Sequence, residues 1–202
     1  MDCGATVYVI QEDAQEWEVI SNLSQSMGYR SERFSSTSEF LHECEGRDCG
    51  CIVTSLLPGP QGLEVFEATS EHSIPLPVIV TAAHPATPAV VQAMRRGAVT
   101  LLEVPLVGED LRQAIAEALS RNAEQRERML LQRRVNEQMA TLSEKETKVM
   151  ELMILGLANK VIAKRLAVSV RTVESRRHDV FEKMHVGTLA ELVRDVITTR
   201  QA

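Results

Sequence analysis

Apolar positions along the chain follow two different rhythms. Over the first 120 residues, short β-branched runs alternate with amphipathic stretches. "TVYVI" (residues 6–10) reads as a strand, and the spacing from Ala14 to Met27 as a helix. "YRSERF" makes a weaker second strand, followed by "STSEFLHECE", a short helix opened by Ser or Thr caps. "CIVTS" is the third strand, and residues 62–68 form a helix carrying Leu63 and Phe66. "LPVIVTA" is the fourth strand, with "TPAVVQAMRRGA" a helix closed at Gly97. "VTLLEVP" is the fifth, stopped by Pro105, and a last helix begins near Glu109. Five β/α units with near-continuous apolar strands predict an α/β doubly wound parallel sheet, (βα)5, covered on both faces.

Helical spacing then continues without Gly or Pro from Asp110 to Ala140, so residues 121–140 read as a helical, charged linker. It either pairs with its copy in a dimer or stands as a solvated spacer. From Thr141 the rhythm changes to short helices with clear start signals. Ser143–Glu146 and Thr188–Glu191 both have the Ser/Thr-x-x-Glu form of a capping box. "NKVIAKRLAV" is a very short helix, Ser169 caps a longer one from Val170 to Met184, and a last helix carries Leu192, Val193, Val196 and Ile197. The expected division is 1–120 for the α/β domain, 121–140 for the linker and 141–202 for an all-α domain.

The short helix, tight turn and longer helix over residues 159–184 have the order of a helix-turn-helix. Val173, Val180 and Met184 fall on one face of the longer helix and pack inward, which leaves Arg171, Glu174, Ser175 and His178 facing away. Charge reinforces the reading. The net charge is −6, yet residues 1–120 hold 6 Lys and Arg against 17 Asp and Glu, while residues 121–202 hold 16 against 11. An acidic half joined to a basic half suggests a regulatory part and a part that binds nucleic acid. Ser169, Arg171 and Thr172 combine a helix N-terminus with a cation, the chemistry that holds phosphate. A helix face of this kind fits a major groove and presents side chains to base edges.

Other classes find less support. Aromatic residues make up 3% of the chain, too few for a stacking surface on single strands. No apolar run approaches the roughly 18 residues of a membrane span, and Met1-Asp2-Cys3-Gly4 is no signal peptide, so a cytoplasmic protein is expected. A disulfide is not expected there. His42, Cys44, Cys49 and Cys51 cluster without the paired spacing of common zinc sites. Metal binding or redox sensing by this cluster stays open beside the plainer reading of Cys51 as a small buried hydrophobe. No Ser-His-Asp or metal-ligand arrangement points to an enzyme, and no cofactor is implied.

The stretch "LSEKETKVMELMILGLANKVIAKRLAVSVRTVESRRHDVFEKM" resembles the LuxR-type helix-turn-helix of the FixJ/NarL class of response regulators. Leu142, Glu146, Val149, Gly156, Asn159-Lys160, Ile162-Ala163, Leu166, Thr172-Val173-Glu174 and Lys183-Met184 carry the likeness. The resemblance implies that Lys160, Ser169, Arg171, Thr172 and Lys183 hold DNA phosphates, and that Glu174, Ser175 and His178 occupy base-reading positions. Arg176 stands where the family usually has His and adds a backbone-binding charge. The first 120 residues resemble the receiver domain of the same class. There an acidic pair after the first strand holds Mg²⁺, an Asp after the third accepts phosphate, and a Thr and a Lys after the fourth and fifth contact the phosphoryl group. An aromatic in the fifth strand reports the change. This chain offers Gln11-Glu12, Ser55, Thr81, Val104 and Leu101 at those places, a degenerate pocket unsuited to aspartyl phosphate. The expectation is a DNA-binding transcription regulator, a homodimer on double-stranded DNA, with some protein or ligand input replacing phosphate. The alternative is a protein-interaction adaptor on the same scaffold.

Overall fold

A computed structural model describes residues 4–44, 46–56 and 61–200, without the side chains of residues 61, 62 and 200. The chain divides into two compact units, Met1–Arg126 and Glu127–Ala202. The division falls inside the segment 121–140 that the sequence suggests as a linker.

In the first unit the strands β1 (Thr6–Ile10), β2 (Arg30–Phe34), β3 (Gly50–Ser55), β4 (Val78–Ala82) and β5 (Leu101–Glu103) alternate with α1 (Ala14–Ser26), α2 (Thr37–Glu43), α3 (Gln61–Glu71), α4 (Thr87–Arg95) and α5 (Gly108–Ala140). All pairings are parallel, in the order β2-β1-β3-β4-β5. Successive side chains on a strand point to opposite faces, and the core divides accordingly. Tyr8, Ile10, Ile52, Val78 and Val80 pack on one side with Phe40 of α2, Phe66 of α3 and Ala93 of α4. Val7, Val9, Val53 and Ile79 pack on the other with Ile20 of α1 and Leu111, Ile115 and Ala118 of α5. The expected doubly wound sheet is therefore the one observed.

Two residues lock β3 into place. Gly50 has φ +148°, and a Cβ there would lie 2.0 Å from the Thr6 carbonyl oxygen, so only glycine lets β3 start this close to β1. Asn122 of α5 is buried; its Oδ1 accepts from Gly50 N–H at 3.0 Å, and its Nδ2 donates to Asp48 O at 3.0 Å and Pro75 O at 2.7 Å.

The second unit holds the C-terminal part of α5 with α6 (Glu144–Ile154), α7 (Asn159–Leu166), α8 (Val170–Met184) and α9 (Leu189–Arg200). Val135 of α5 is fully buried with Met150, Met153, Ile162, Val173, Val180, Met184, Leu192 and Val196. Both expected capping boxes form. Ser143 and Glu146 bond reciprocally at the start of α6, and Thr188 and Glu191 do so at the start of α9. Glu146 has a second role: Lys183 of α8 donates to its Oε1 and Oε2 at 2.9 and 2.7 Å. The Lys183 ammonium, with the Ser143 N–H, holds the buried Glu146 carboxyl down at about 2.

Asn122→Ala is expected to destabilise the chain by about 2–3 kcal/mol in urea denaturation, because Gly50 N–H is left buried without a partner; a loss below about 0.5 kcal/mol would contradict the clamp. The Glu146 pair makes a pH prediction. The folded carboxyl lies below its ordinary value of 4.5, so its stabilisation is complete above that value and is lost as pH falls toward about 2. Wild type should melt higher than Glu146→Gln at neutral pH, and the difference should shrink over that window; a gap independent of pH refutes the pair.

Candidate nucleic-acid interface and the strand-end cavity

Helix α8 is positioned from both ends. At its start Ser169 Oγ accepts from Thr172 N–H at 3.0 Å and lies 2.8 Å from Thr172 Oγ1. The chain reaches Ser169 through Ala167, which takes a left-handed φ of 52° and closes α7, so α7 and α8 meet across a tight turn. At its far end Val180 and Met184 are buried and Lys183 is tied to Glu146. With Val173, Val180 and Met184 inward, the helical period leaves Arg171, Glu174, Ser175 and His178 exposed on one outward strip. Lys160 is exposed on the first turn of α7. Arg176 is half-buried beside the strip. Lys183 stands apart from the others: its ammonium is committed to a carboxylate inside the fold. Sequence reasoning passed over Arg177, whose guanidinium lies over the Phe181 ring at 5.8 Å.

The strand ends of the first unit hold the second group of residues. Parallel register sets Ile10 beside Thr54 and Ser55 beside Thr81, so β1, β3 and β4 finish side by side. A cavity of about 400 Å³ opens there, lined by Gln11, Glu12, Asp13, Glu16, Ser36, Ser55 and Glu64 among others. Gln11, Glu12 and half-buried Ser55 thus share one space. Thr81 is fully buried and reaches the same space through its hydroxyl, which donates to Glu16 Oε2 at 3.3 Å. Gln11 Nε2 donates to the same oxygen. Leu101 is half-buried in β5 and packs against the core, and Val104 donates its N–H to Ala82 O at 2.9 Å; among the described residues neither lines the cavity. Glu16 was not legible from the sequence as a member of this site. It enters because Asp13 caps α1 through Gln15 N–H and Glu16 N–H, at 2.7 and 3.0 Å, which starts the helix directly over the strand ends.

The cysteine cluster resolves differently from the expectation. Cys49 is disulfide-bonded, against the reading that no disulfide would form; composition and compartment do not report where two sulfur atoms meet. Cys44 and Cys51 are buried, His42 is exposed, and burial pushes the Cys51 thiol up to about 12. Among the described residues, no three His, Cys, Asp or Glu side chains gather as a metal site. Among them also, no helix is long and apolar enough to cross a membrane.

Comparison with known proteins agrees with this two-part layout. Residues 140–196 match the family "Bacterial regulatory proteins, luxR family", and residues 7–116 match the "Response regulator receiver domain". The chain is 37% identical to the transcriptional regulatory protein FixJ of Azorhizobium caulinodans over 189 residues, covering 93% of this chain and 90% of that protein. It is 32% identical to the response regulator protein TodT of Pseudomonas putida over 194 residues, covering 96% and 86%. Among solved structures it resembles the response regulator StyR, with a TM-score of 0.83 and 34% identity over 96% of this chain and 98% of that one. Full-length FixJ from B. japonicum aligns with a TM-score of 0.57 and 31% identity, over 98% of both chains. With a parallel receiver sheet in its first unit and a capped helix-turn-helix in its second, the chain belongs to the LuxR-type response regulators, two-component transcription regulators that bind DNA.

Proposed function

We propose that this response regulator binds a specific double-stranded DNA site as a homodimer in the cytoplasm and acts independently of aspartyl phosphorylation. The observation that carries the second half is Ser55, which ends β3 in register with Thr81. A serine hydroxyl near neutral pH is a far weaker nucleophile than a carboxylate unless a base activates it. The carboxylate that Mg²⁺ would need at that point is missing as well. Val104 offers no cation for a phosphoryl oxygen, Leu101 replaces the aromatic of the family pattern, and the Thr81 hydroxyl is engaged by Glu16. Each of these departures supports the same reading.

The outward strip of α8 supports the first half. Arg171, with the N-terminal amides of α8 organised by Ser169 and Thr172, suits a phosphate, and Lys160 on α7 adds a second cation. Glu174, Ser175 and His178, one and two turns further along, suit base edges, and Arg176 adds backbone affinity at the rim. Lys183, expected from the resemblance to hold a phosphate, instead steadies the last turn of α8, since Glu146 takes its ammonium. A homodimer sets two such helices about one helical turn apart on a near-palindromic site. No catalytic role is assigned to any residue.

Binding to a site selected from random sequence tests this reading. Arg171→Ala should weaken binding about equally on all sequences and reduce the salt slope by about 1, as loss of one phosphate contact requires; a change confined to one base position contradicts the role. Ser55→Ala should leave DNA affinity and sedimentation unchanged, and a large change in either shows that the hydroxyl is used.

A further inference from the structure

Cys49 is disulfide-bonded in a chain that reads as cytoplasmic. A disulfide is uncommon in a reducing cytosol, and where one occurs there it is usually transient and redox-sensing rather than structural. The bond at Cys49 therefore calls for a partner, an oxidant and a consequence.

The partner follows by exclusion. The chain has four cysteines. Cys44 keeps its hydrogen, since its Sγ donates to Leu41 O at 3.5 Å, and Cys51 is a fully buried thiol inside β3. Neither is the sulfur bonded to Cys49. Cys3 remains; it lies outside the described residues, but the chain brings it within reach. Thr6 N–H donates to Cys49 O at 3.3 Å, and Thr6 pairs with Gly50 where β1 and β3 begin. Three peptide units separate Cys3 from Thr6, a span of up to about 11 Å, and a disulfide asks for Cα atoms roughly 4.4–6.8 Å apart.

Access singles out the same residue. Cys44 and Cys51 are buried, and burial in apolar surroundings withholds a thiol from oxidants and suppresses its thiolate. Cys49 is half-buried. Its two neighbours along the chain are both gripped by α5: Asn122 accepts from Gly50 N–H and donates to Asp48 O. Arg126 Nε lies 3.3 Å from Asp48 Oδ2, and Arg126 is the last residue of the first unit. A covalent tie at Cys49 therefore acts on the clamp from which α5 runs on into the second unit.

We propose that Cys49 and Cys3 form an oxidation site for hydrogen peroxide, and that closing the disulfide is an input to α5 in place of phosphate. The Cys49 thiolate attacks one peroxide oxygen, the O–O bond breaks, and hydroxide leaves and takes up a proton, which gives a sulfenic acid and one water. The Cys3 thiol then attacks that sulfur, the S–S bond forms, and the sulfenic oxygen departs as a second water. In total two thiols lose two electrons and two protons, and one peroxide is reduced to two waters. Exchange with a reducing thiol such as glutathione reopens the bond. The closed bond restricts the backbone between Asp48 and Gly50, so the Asn122 and Arg126 contacts open less often. The site rests on the reading of the chain as cytoplasmic, where both thiols start reduced.

The full chain, produced in a bacterial cytoplasm, is trapped by acid quench and alkylation before and after a pulse of hydrogen peroxide. Cys49 should be alkylated before the pulse and recovered after it in a disulfide-linked peptide with Cys3. In the purified chain, excess reduced glutathione should reopen the bond. Oxidation should slow hydrogen exchange at the amides of residues 122–126 at least about threefold. Neither Cys49→Ser nor Cys3→Ser should show that slowing, and both should melt where the reduced wild type melts. Cys49 that stays alkylated after the pulse, or that pairs with Cys44, Cys51 or a second chain, overturns the proposal. Exchange at residues 122–126 that ignores the bond, or a bond that glutathione cannot reopen, overturns it too. A bond already closed before the pulse refutes the cytoplasmic reading and the site together, whereas the other failures leave that reading standing.

Discussion

Parallel register is the constraint from which the first unit follows. Hydrogen bonding between β1, β3 and β4 sets Ile10 against Thr54 and Ser55 against Thr81, so three apolar strands stop at one level. Both faces of the sheet are covered by helices, and a polar cavity opens where these strands end. Gly50 and Asn122 hold β3 at its other end and thereby decide how far Ser55 extends. A slip of β3 by one residue would turn its side chains to the opposite faces and take Ser55 out of the cavity.

The second unit solves a comparable problem with caps instead of a sheet. A basic helix can present a chosen strip only if its rotation about its own axis is fixed. Burial of Val173, Val180 and Met184 fixes it, and the Ser169 cap sets where the helix begins. The bond from Lys183 to Glu146 then ties the last turn of α8 to the first turn of α6, so one carboxylate serves a capping box and a tertiary contact together. Such a carboxylate tolerates little substitution, because two helix positions depend on it.

How much of this was legible in the sequence depends on the kind of side chain. Strand and helix positions were readable because they follow from periodicity, Pro, Gly and cap residues; α8 begins and ends where Ser169 and Met184 indicated. Ser55 was readable as a strand-end residue for the same reason. Glu16, Asn122 and the partner of Lys183 were not. Each is a polar side chain in a helix whose partner lies 37 to 74 positions away along the chain or on another element, and a local pattern carries no signal for such a meeting. Gln11 was legible as a departure from an acidic pair, but its unsatisfied oxygen exists only once Glu16 arrives beside it. The cysteines make the same point: burial of Cys51 follows from its strand, whereas the bond made by Cys49 does not follow from spacing.

The central claim is that the DNA-binding form of this regulator does not wait for phosphate. The most direct measurement is the affinity of the full-length chain for its selected DNA site, at fixed salt, with and without acetyl phosphate and Mg²⁺. The account predicts tight binding in both conditions and the same dissociation constant. Affinity that rises tenfold or more only when the phosphodonor is present would contradict it, and would return Ser55 and its neighbours to phosphoryl chemistry.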